Sequence, residues 1–305
     1  MMMRRLNLSA LCIALSASAS VHAQNAVATP QADIVVTGER LSREEARQQA
    51  AAYVRHVGVT ASQQGVARWI DPVCPKVRGI DDKLAHYVEG RIRRIASAAG
   101  APLAKDRCEP NLIVSFVADA SAAAQFVVRR QPGQLAEVQA QDRHALLNGD
   151  APVRWWYSTE IRGKDGDRLS GAPPVFASIQ GGVPGQSLPS NGDTTYLSQY
   201  SNGIISTQTA RAIIAATVVV DVNRAAGVRL ESIAEYAAFV SLAEIRPTRD
   251  VQRSSILALF SGADKARQLT DLDSRFLQAL YQLPLDRYSR QQRGLLIAAL
   301  APPDR

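Results

Sequence analysis

The sequence lacks the short motifs that mark several large enzyme classes. It contains no G-x-S-x-G nucleophile elbow, no P-loop and no G-x-G-x-x-G fingerprint. Histidine is scarce, with four in 305 residues, and no two of them are four positions apart. That spacing is what lets two imidazoles on one helix reach the same metal ion. These absences argue against a serine hydrolase with such an elbow, a nucleotide-binding enzyme and a zinc site carried by one helix.

Lysine is also scarce, although the chain is basic. The formal net charge is +7, from 35 basic and 28 acidic residues, and only five of the basic residues are lysine. The arginines are scattered, and residues 91–95 form the only dense basic group. A nucleic-acid-binding protein usually combines a basic stripe with a recognisable module. Neither is visible, so nucleic acid is not an expected partner.

An apolar run long enough to span a bilayer is missing as well. The stretch at residues 6–15 is mostly apolar, but it is shorter than the roughly 20 residues that a membrane helix needs. It follows Arg4 and Arg5 and precedes the small-x-small sequence Val21-His22-Ala23. This arrangement predicts a signal peptide over residues 1–23. The mature chain is then expected to be exported, periplasmic or secreted, and to have no transmembrane segment.

Cysteine is limited to three residues, and removal of residues 1–23 would leave Cys74 and Cys108. In an exported chain, one pair of cysteines favours a disulfide bond, which would stabilise the fold by roughly 3–4 kcal/mol. The alternative is two separate buried thiols. Two cysteines alone do not make a structural zinc site, because such a site takes four nitrogen or sulfur ligands. No cofactor is expected.

The sequence after the predicted signal peptide indicates one short segment and one domain. Residues 24–59 are predicted to be a flexible segment with one helix, which a capping box of Ser42 and Glu45 would begin. The sequence ADIVVTGER inside it is either part of a flexible terminus or a short strand that docks on a partner's sheet edge. Residues 60–300 are predicted to form a single α+β domain, with a loop-rich insertion at residues 163–203.

Within the predicted domain, β-rich stretches alternate with helical patterns, and only helical patterns follow. One amphipathic helix ends at Gly100 and carries an apolar stripe of Ile80, Leu84, Val88, Ile92 and Ile95. The other predicted elements are a strand near residues 66–70 ended by Pro72 and Pro75, strands at 111–119, 153–163 and 203–222, and helices at 134–149, 231–245, 270–283 and 288–300.

Two short sequences near the end of the chain carry a family resemblance. Residues 255–257 read Ser-Ile-Leu, and Leu269-Thr270-x-x-Asp273 opens the helix predicted at 270–283. In this order they resemble the Ser-Ile-Met turn and the closing helix of zincin peptidases of the metzincin type, and the likeness extends over residues 66–283. The resemblance implies a mixed sheet packed on two main helices, with a helical C-terminal part.

The zinc motif of that family is lost in this chain. The resemblance places Ala234 and Ala238 at the two histidines, Glu235 at the general base, Ser241 at the glycine and Glu244 at the third ligand. Alanine has no donor atom, and one carboxylate cannot hold zinc in a site of three protein ligands. The sequence therefore favours a non-catalytic, exported zincin-like domain that binds or scaffolds an envelope protein or peptide. The alternative is a hydrolase that uses Glu235 and Glu244.

Both glutamates also have structural interpretations. Ser232 and Glu235 have the spacing of a capping box at the start of the helix predicted at 231–245. Glu244 is expected to pair with Arg246 or Arg249, or to be solvated. At the closing helix, Thr270 is predicted to be the N-cap, with Asp273 three residues later.

Three consecutive aromatic residues are the remaining candidates for a binding site. On a strand, Trp155 and Tyr157 point to one face and Trp156 points to the other. One face is expected to be core, and the other could be an exposed platform for a peptide or glycan. In zincins an edge strand pairs with extended substrate, so this strand is where the resemblance would place a ligand.

Overall fold

The computed structural model describes residues 42–58, 65–168, 207, 209–246, 254–261 and 266–301. They fall within one unit of the chain, Leu41–Arg305. The predicted signal peptide, the ADIVVTGER sequence and most of the predicted insertion at 163–203 lie outside the described residues. None of the described helices is long and apolar enough to cross a membrane.

The described residues form seven α-helices. α1 (Arg43–Val57) begins at the predicted capping box, in which the side chains of Ser42 and Glu45 each bond the other residue's backbone N–H. α2 (Asp82–Ala99) ends at Gly100, whose φ of 81° is a left-handed conformation that glycine adopts without strain. The others are α3 (Ala120–Arg130), α4 (Ala140–Asn148), α5 (Leu230–Leu242), α6 (Asp271–Gln282) and α7 (Ser289–Leu300). Short 3₁₀ helices cover Pro132–Leu135 and Ile256–Phe260.

Five strands form one mixed sheet. They are β1 (Arg68–Trp69), β2 (Pro75–Arg78), β3 (Leu112–Val117), β4 (Val153–Gly163) and β5 (Thr209–Asp221). β5 is central: it pairs in parallel with β1 and β3, and antiparallel with β4. Because β4 follows β5 along its whole length, β1 and β3 share the opposite edge of β5. β2 pairs in parallel with the outer edge of β3.

The sheet separates a large core from a small one. Along β5, Val218 and Val220 face the large core, and Val219 faces the small one, as the two-residue period of a strand requires. α1, α2, α5, α6 and α7 contribute to the large core, whereas α3 and α4 cover the opposite face. A mixed sheet between two helical layers confirms the predicted α+β class. α2 and α5 pack on each other in the large core, and α6 and α7 form the helical C-terminal part.

Several of the predicted elements differ from those in the structure. β1 ends before Pro72 as predicted, but β2 was not predicted; Pro75 is its first residue, a position where a missing N–H is tolerated. α3 was not predicted, although Asp119 caps it by accepting two backbone N–H bonds. Leu84, expected on the buried stripe of α2, is 47% exposed, and Ala85 is buried instead. The stripe is therefore shifted by one residue at its start.

α1 packs within the domain, which therefore starts earlier in the sequence than predicted. Tyr53, Val54 and Val57 are buried in the large core, and α1 packs against α7. The structural unit begins near Leu41 rather than at the predicted residue 60. The helix is thus part of the domain and not of a flexible segment before it.

Cys74 and Cys108 form the predicted disulfide bond; their Cα atoms are 6.0 Å apart, and the two residues are 34 positions apart in the sequence. The bond joins the residue before β2 to the connection between α2 and β3. Asn111 reinforces the same place: its Oδ1 accepts the backbone N–H of Cys74 (2.7 Å), and its Nδ2 donates to the carbonyl of Pro72 (3.0 Å).

Asp273 joins three separate parts of the chain at the start of α6. As predicted, Thr270 is the N-cap of α6 and forms a capping box with Asp273. The carboxylate is fully buried and also accepts the hydroxyl of Tyr53 (2.6 Å), the hydroxyl of Ser255 (2.7 Å) and the backbone N–H of Ile256 (2.7 Å). Burial, together with this negative charge, raises the pKa of Tyr53 well above its usual value. The residues of the Ser-Ile-Leu turn and of Leu-Thr-x-x-Asp thus bond to each other.

Candidate functional site

α5, at the position of the zinc helix in the resemblance, is buried on every side. All residues from Ser232 to Leu242 are buried, and Ala234 and Ala238 have no exposed surface. Their methyl groups offer no donor atom, so the residues present do not fit a zinc ion at this position. Among the described residues, no group of three or more histidine, cysteine, aspartate or glutamate side chains is placed to hold a metal.

Glu235 is bonded to partners outside its own helix. The N-cap of α5 is Arg229, so Ser232 lies inside the helix and the predicted capping box is wrong. The Glu235 carboxylate is 2% exposed, pairs with Arg91 of α2 and accepts the backbone N–H of Leu269. Its hydrogen bond raises the pKa of Arg91 above the usual value. This side chain therefore ties α5 to α2 and to the segment before α6.

Glu244 lies just beyond α5 and is held by an arginine of the central strand. Arg211 donates to its two carboxylate oxygens from Nη1 (2.6 Å) and Nη2 (3.2 Å), and Ala67 adds a longer backbone N–H bond (3.4 Å). Of the two predicted partners, Arg246 is 3.9 Å away, and Arg249 lies outside the described residues. Glu235 and Glu244 thus bind different arginines in different parts of the domain.

A cleft of about 400 Å³ lies beside the first half of β4. On the α5 side its wall is formed by Tyr236, Ile245, Leu257 and Phe260; on the α4 side it is formed by Val138, Ala145 and Leu146. The rings of Trp155, Tyr236 and Phe260 meet edge to face, with centroids 6.0 and 5.5 Å apart. Glu244 lines the cleft, whereas Glu235 is not among the lining residues. The wall is predominantly apolar with a few charged groups, as is usual for a ligand site.

The three predicted aromatic residues all line this cleft, but none of them is exposed. Trp155 donates its ring N–H to the carbonyl of Ile245 (2.8 Å), and the Tyr157 hydroxyl donates to Val240 and accepts the N–H of Ile245 (3.0 Å). Burial raises the pKa of Tyr157 well above its usual value, which keeps the hydroxyl protonated as a donor. Trp156 is 3% exposed and packs in the small core. The aromatic residues therefore form a wall rather than an exposed platform.

The backbone of β4 presents an open edge to the cleft. The N–H of Asp221 donates to the carbonyl of Pro152 (2.8 Å), so Pro152 and every second residue after it direct their backbone groups toward β5. Because backbone groups alternate in direction along a strand, the N–H and C=O groups of Val153, Trp155 and Tyr157 point away from β5. Within the described part of the chain, β4 pairs with no other strand. Among the described residues, these three therefore have no strand partner for their outward backbone groups, which face the cleft.

This open edge ends at Thr159, which has the same outward direction. Its backbone N–H donates to Glu137 Oε1 (2.5 Å) and its hydroxyl donates to Glu137 Oε2 (2.6 Å). Farther along, Gly163 donates its N–H to Asp167 in the turn that follows β4. The outward groups at the cleft are therefore confined to residues 153–157.

Sequence reasoning missed Glu137, Arg211 and Arg91. Each one acts through a partner far away in the sequence, so no local motif connects them. The one available signal was Arg211, a charged residue in the apolar strand sequence RAIIAATVVV, because arginine is seldom buried unless it is paired.

Comparison of the chain with protein-family models, with curated proteins and with solved structures finds no match.

Proposed function

We propose that this protein is a non-catalytic, exported binding module with a zincin-like fold, and that it holds an extended peptide of an envelope partner in the cleft beside β4. The observation that carries the proposal is the open edge at Val153, Trp155 and Tyr157, directed into an apolar cleft. A peptide that adds a strand at such an edge gains main-chain hydrogen bonds, and side-chain pockets on both faces supply selectivity.

The state of α5 supports the non-catalytic part of the proposal. Ala234 and Ala238 are packed in the core, and Glu235 is engaged by Arg91 and by a backbone N–H. A general base must reach the proton that it removes, directly or through one water molecule. A carboxylate that is 2% exposed and bonded on both oxygens does not meet that requirement. The helix is better explained as a packing element.

The cleft walls define the peptide that would bind. Side chains of an added strand alternate between the two faces of the sheet. One set would meet Tyr236, Leu257 and Phe260, and the other would meet Val138 and Leu146. Both walls are apolar, so the expected ligand is an extended segment whose side chains present methyl groups to both walls, as alternating valine and threonine do.

Binding can be tested with a bulky residue that fills the cleft. We expect the full mature chain to bind an acetylated and amidated peptide of alternating valine and threonine, measured by isothermal titration calorimetry. Ala145 is an exposed residue of α4 that lines the cleft, so Ala145→Trp should weaken binding by at least about tenfold, or about 1.4 kcal/mol. His144→Trp, on an exposed position of α4 that faces away from the cleft and is not among its lining residues, is the matched control and should bind like wild type. Equal binding by both variants would contradict this location.

Glu235 is expected to matter for stability rather than for catalysis. Glu235→Gln removes the charge opposite Arg91, and we expect the free energy of unfolding to fall by about 2 kcal/mol, measured by urea denaturation. Glu231→Gln is the matched control, because Glu231 also pairs with Arg91 (3.3 Å) but is more exposed, and it should cost less than about 1 kcal/mol. A stable Glu235→Gln protein that had lost a measurable hydrolytic activity would instead support a catalytic role.

The alternative function is a hydrolase that uses Glu235 and Glu244. The two carboxylates have different arginine partners, and only Glu244 lines the cleft. No contact among the described residues brings the two carboxylates together at one site where both could act on the same substrate. The binding function is therefore preferred.

A further inference from the structure

Glu137 is the residue that closes the open edge of β4. It lies between the 3₁₀ helix Pro132–Leu135 and α4, and its side chain is 38% exposed. Both carboxylate oxygens nevertheless bond Thr159, one through the backbone N–H and the other through the hydroxyl. Arg211, 3.7 Å away, adds a weaker attraction that holds the carboxylate toward the sheet.

The hydrogen bond from the Thr159 backbone N–H to Glu137 restricts how far an added strand can pair with β4. A strand pairing with β4 would need the outward groups of residues 153, 155, 157 and 159 in succession. The first three are directed into the cleft, whereas the N–H of Thr159 is already taken by Glu137. Charged side chains placed at an edge are a common way in which proteins stop further strand pairing.

We infer that Glu137 is a specificity-determining stop: it limits the bound peptide to a short extended segment that pairs with residues 153–157 only. The inference rests on the proposed peptide-binding function. It defines the ligand as an extended segment of about five residues, since a strand places one residue every ~3.3 Å. A longer strand would have to displace the Glu137 carboxylate from Thr159 before it could pair further.

The contact itself is tested in the free protein by hydrogen exchange. We expect the Thr159 amide to exchange at least about tenfold faster in Glu137→Ala than in wild type, because a charge-assisted hydrogen bond is lost. Glu137→Gln keeps an acceptor oxygen and should retain most of the protection. Asp142→Ala removes another acidic residue of the cleft lining that has no hydrogen bond to β4, and it should leave Thr159 unchanged. Unchanged exchange in Glu137→Ala would overturn the inference.

The stop is tested with two acetylated and amidated peptides of alternating valine and threonine, of about five and about nine residues. Wild type should bind both equally, and Glu137→Ala should bind the longer one about tenfold tighter than wild type does. If Thr159 exchanges faster in Glu137→Ala but the longer peptide does not bind more tightly, the role of Glu137 as a stop is overturned and the proposed binding function is not. Absence of binding by every protein and both peptides would overturn the proposed function and the stop with it.

Discussion

Replacement of Asp273 by alanine is expected to lower the free energy of unfolding by about 4 kcal/mol. The carboxylate has no exposed surface and accepts bonds from the Tyr53 and Ser255 hydroxyls and from the backbone N–H groups of Ile256 and Thr270. Removal leaves three buried donors and one partly buried donor, the Thr270 N–H, without their acceptor. Each buried donor costs about 1–3 kcal/mol when it finds no substitute. Domains of this kind are stable by only about 5–15 kcal/mol, so the variant should be close to unfolding.

Asp271→Ala is the matched control for this prediction. Asp271 occupies the first turn of the same helix, but its side chain is 84% exposed and pairs only with Arg275 four residues later. Exposed pairs of this type contribute about 0.3–0.5 kcal/mol. Urea denaturation followed by circular dichroism measures both variants. Similar losses for Asp271→Ala and Asp273→Ala would show that Asp273 is only a helix cap and does not hold three segments together.

Loss of the disulfide bond between Cys74 and Cys108 is expected to cost about 3–4 kcal/mol. The bond closes a loop of 34 positions, and its main effect is to restrict the unfolded chain. The loop contains α2, which packs against α5, so unfolding of the loop would expose the large core. The double variant Cys74→Ala, Cys108→Ala should therefore lose this amount in urea denaturation.

A reducing agent distinguishes the effect of losing the disulfide bond from the effect of replacing the two cysteine side chains. Wild type in dithiothreitol should fall to about the stability of the double variant, and the double variant should not respond to the reagent. Equal stability of wild type with and without reductant, with the bond confirmed as reduced by mass, would contradict the assignment of a stabilising disulfide.

Local chemistry made several features predictable. The capping boxes at Ser42 and Thr270 consist of residues three positions apart, and both are formed. β4 was predicted with its observed bounds because β-forming residues fill the strand. The cysteine pair was predictable because only two remain after the expected signal peptide, although export itself stays a prediction.

The features that the sequence hid depend on contacts between distant residues. Glu235 was interpreted as a cap because Ser232 stands three residues before it, but α5 begins at Leu230 and buries both residues. The partner that decides the matter, Arg91, is 144 positions away. Glu137 likewise gave no local signal, since its role depends on a strand edge that exists only in the folded sheet. The zincin resemblance stays a hypothesis that the fold class accommodates.

Native mass spectrometry of the chain without its predicted signal peptide, mixed with the short peptide of alternating valine and threonine, tests the central claim most directly. A non-catalytic peptide-binding module predicts a one-to-one complex in which the peptide is recovered intact and no zinc adds to the protein mass. Cleavage products of the peptide, together with one zinc ion bound per chain, would contradict the proposal.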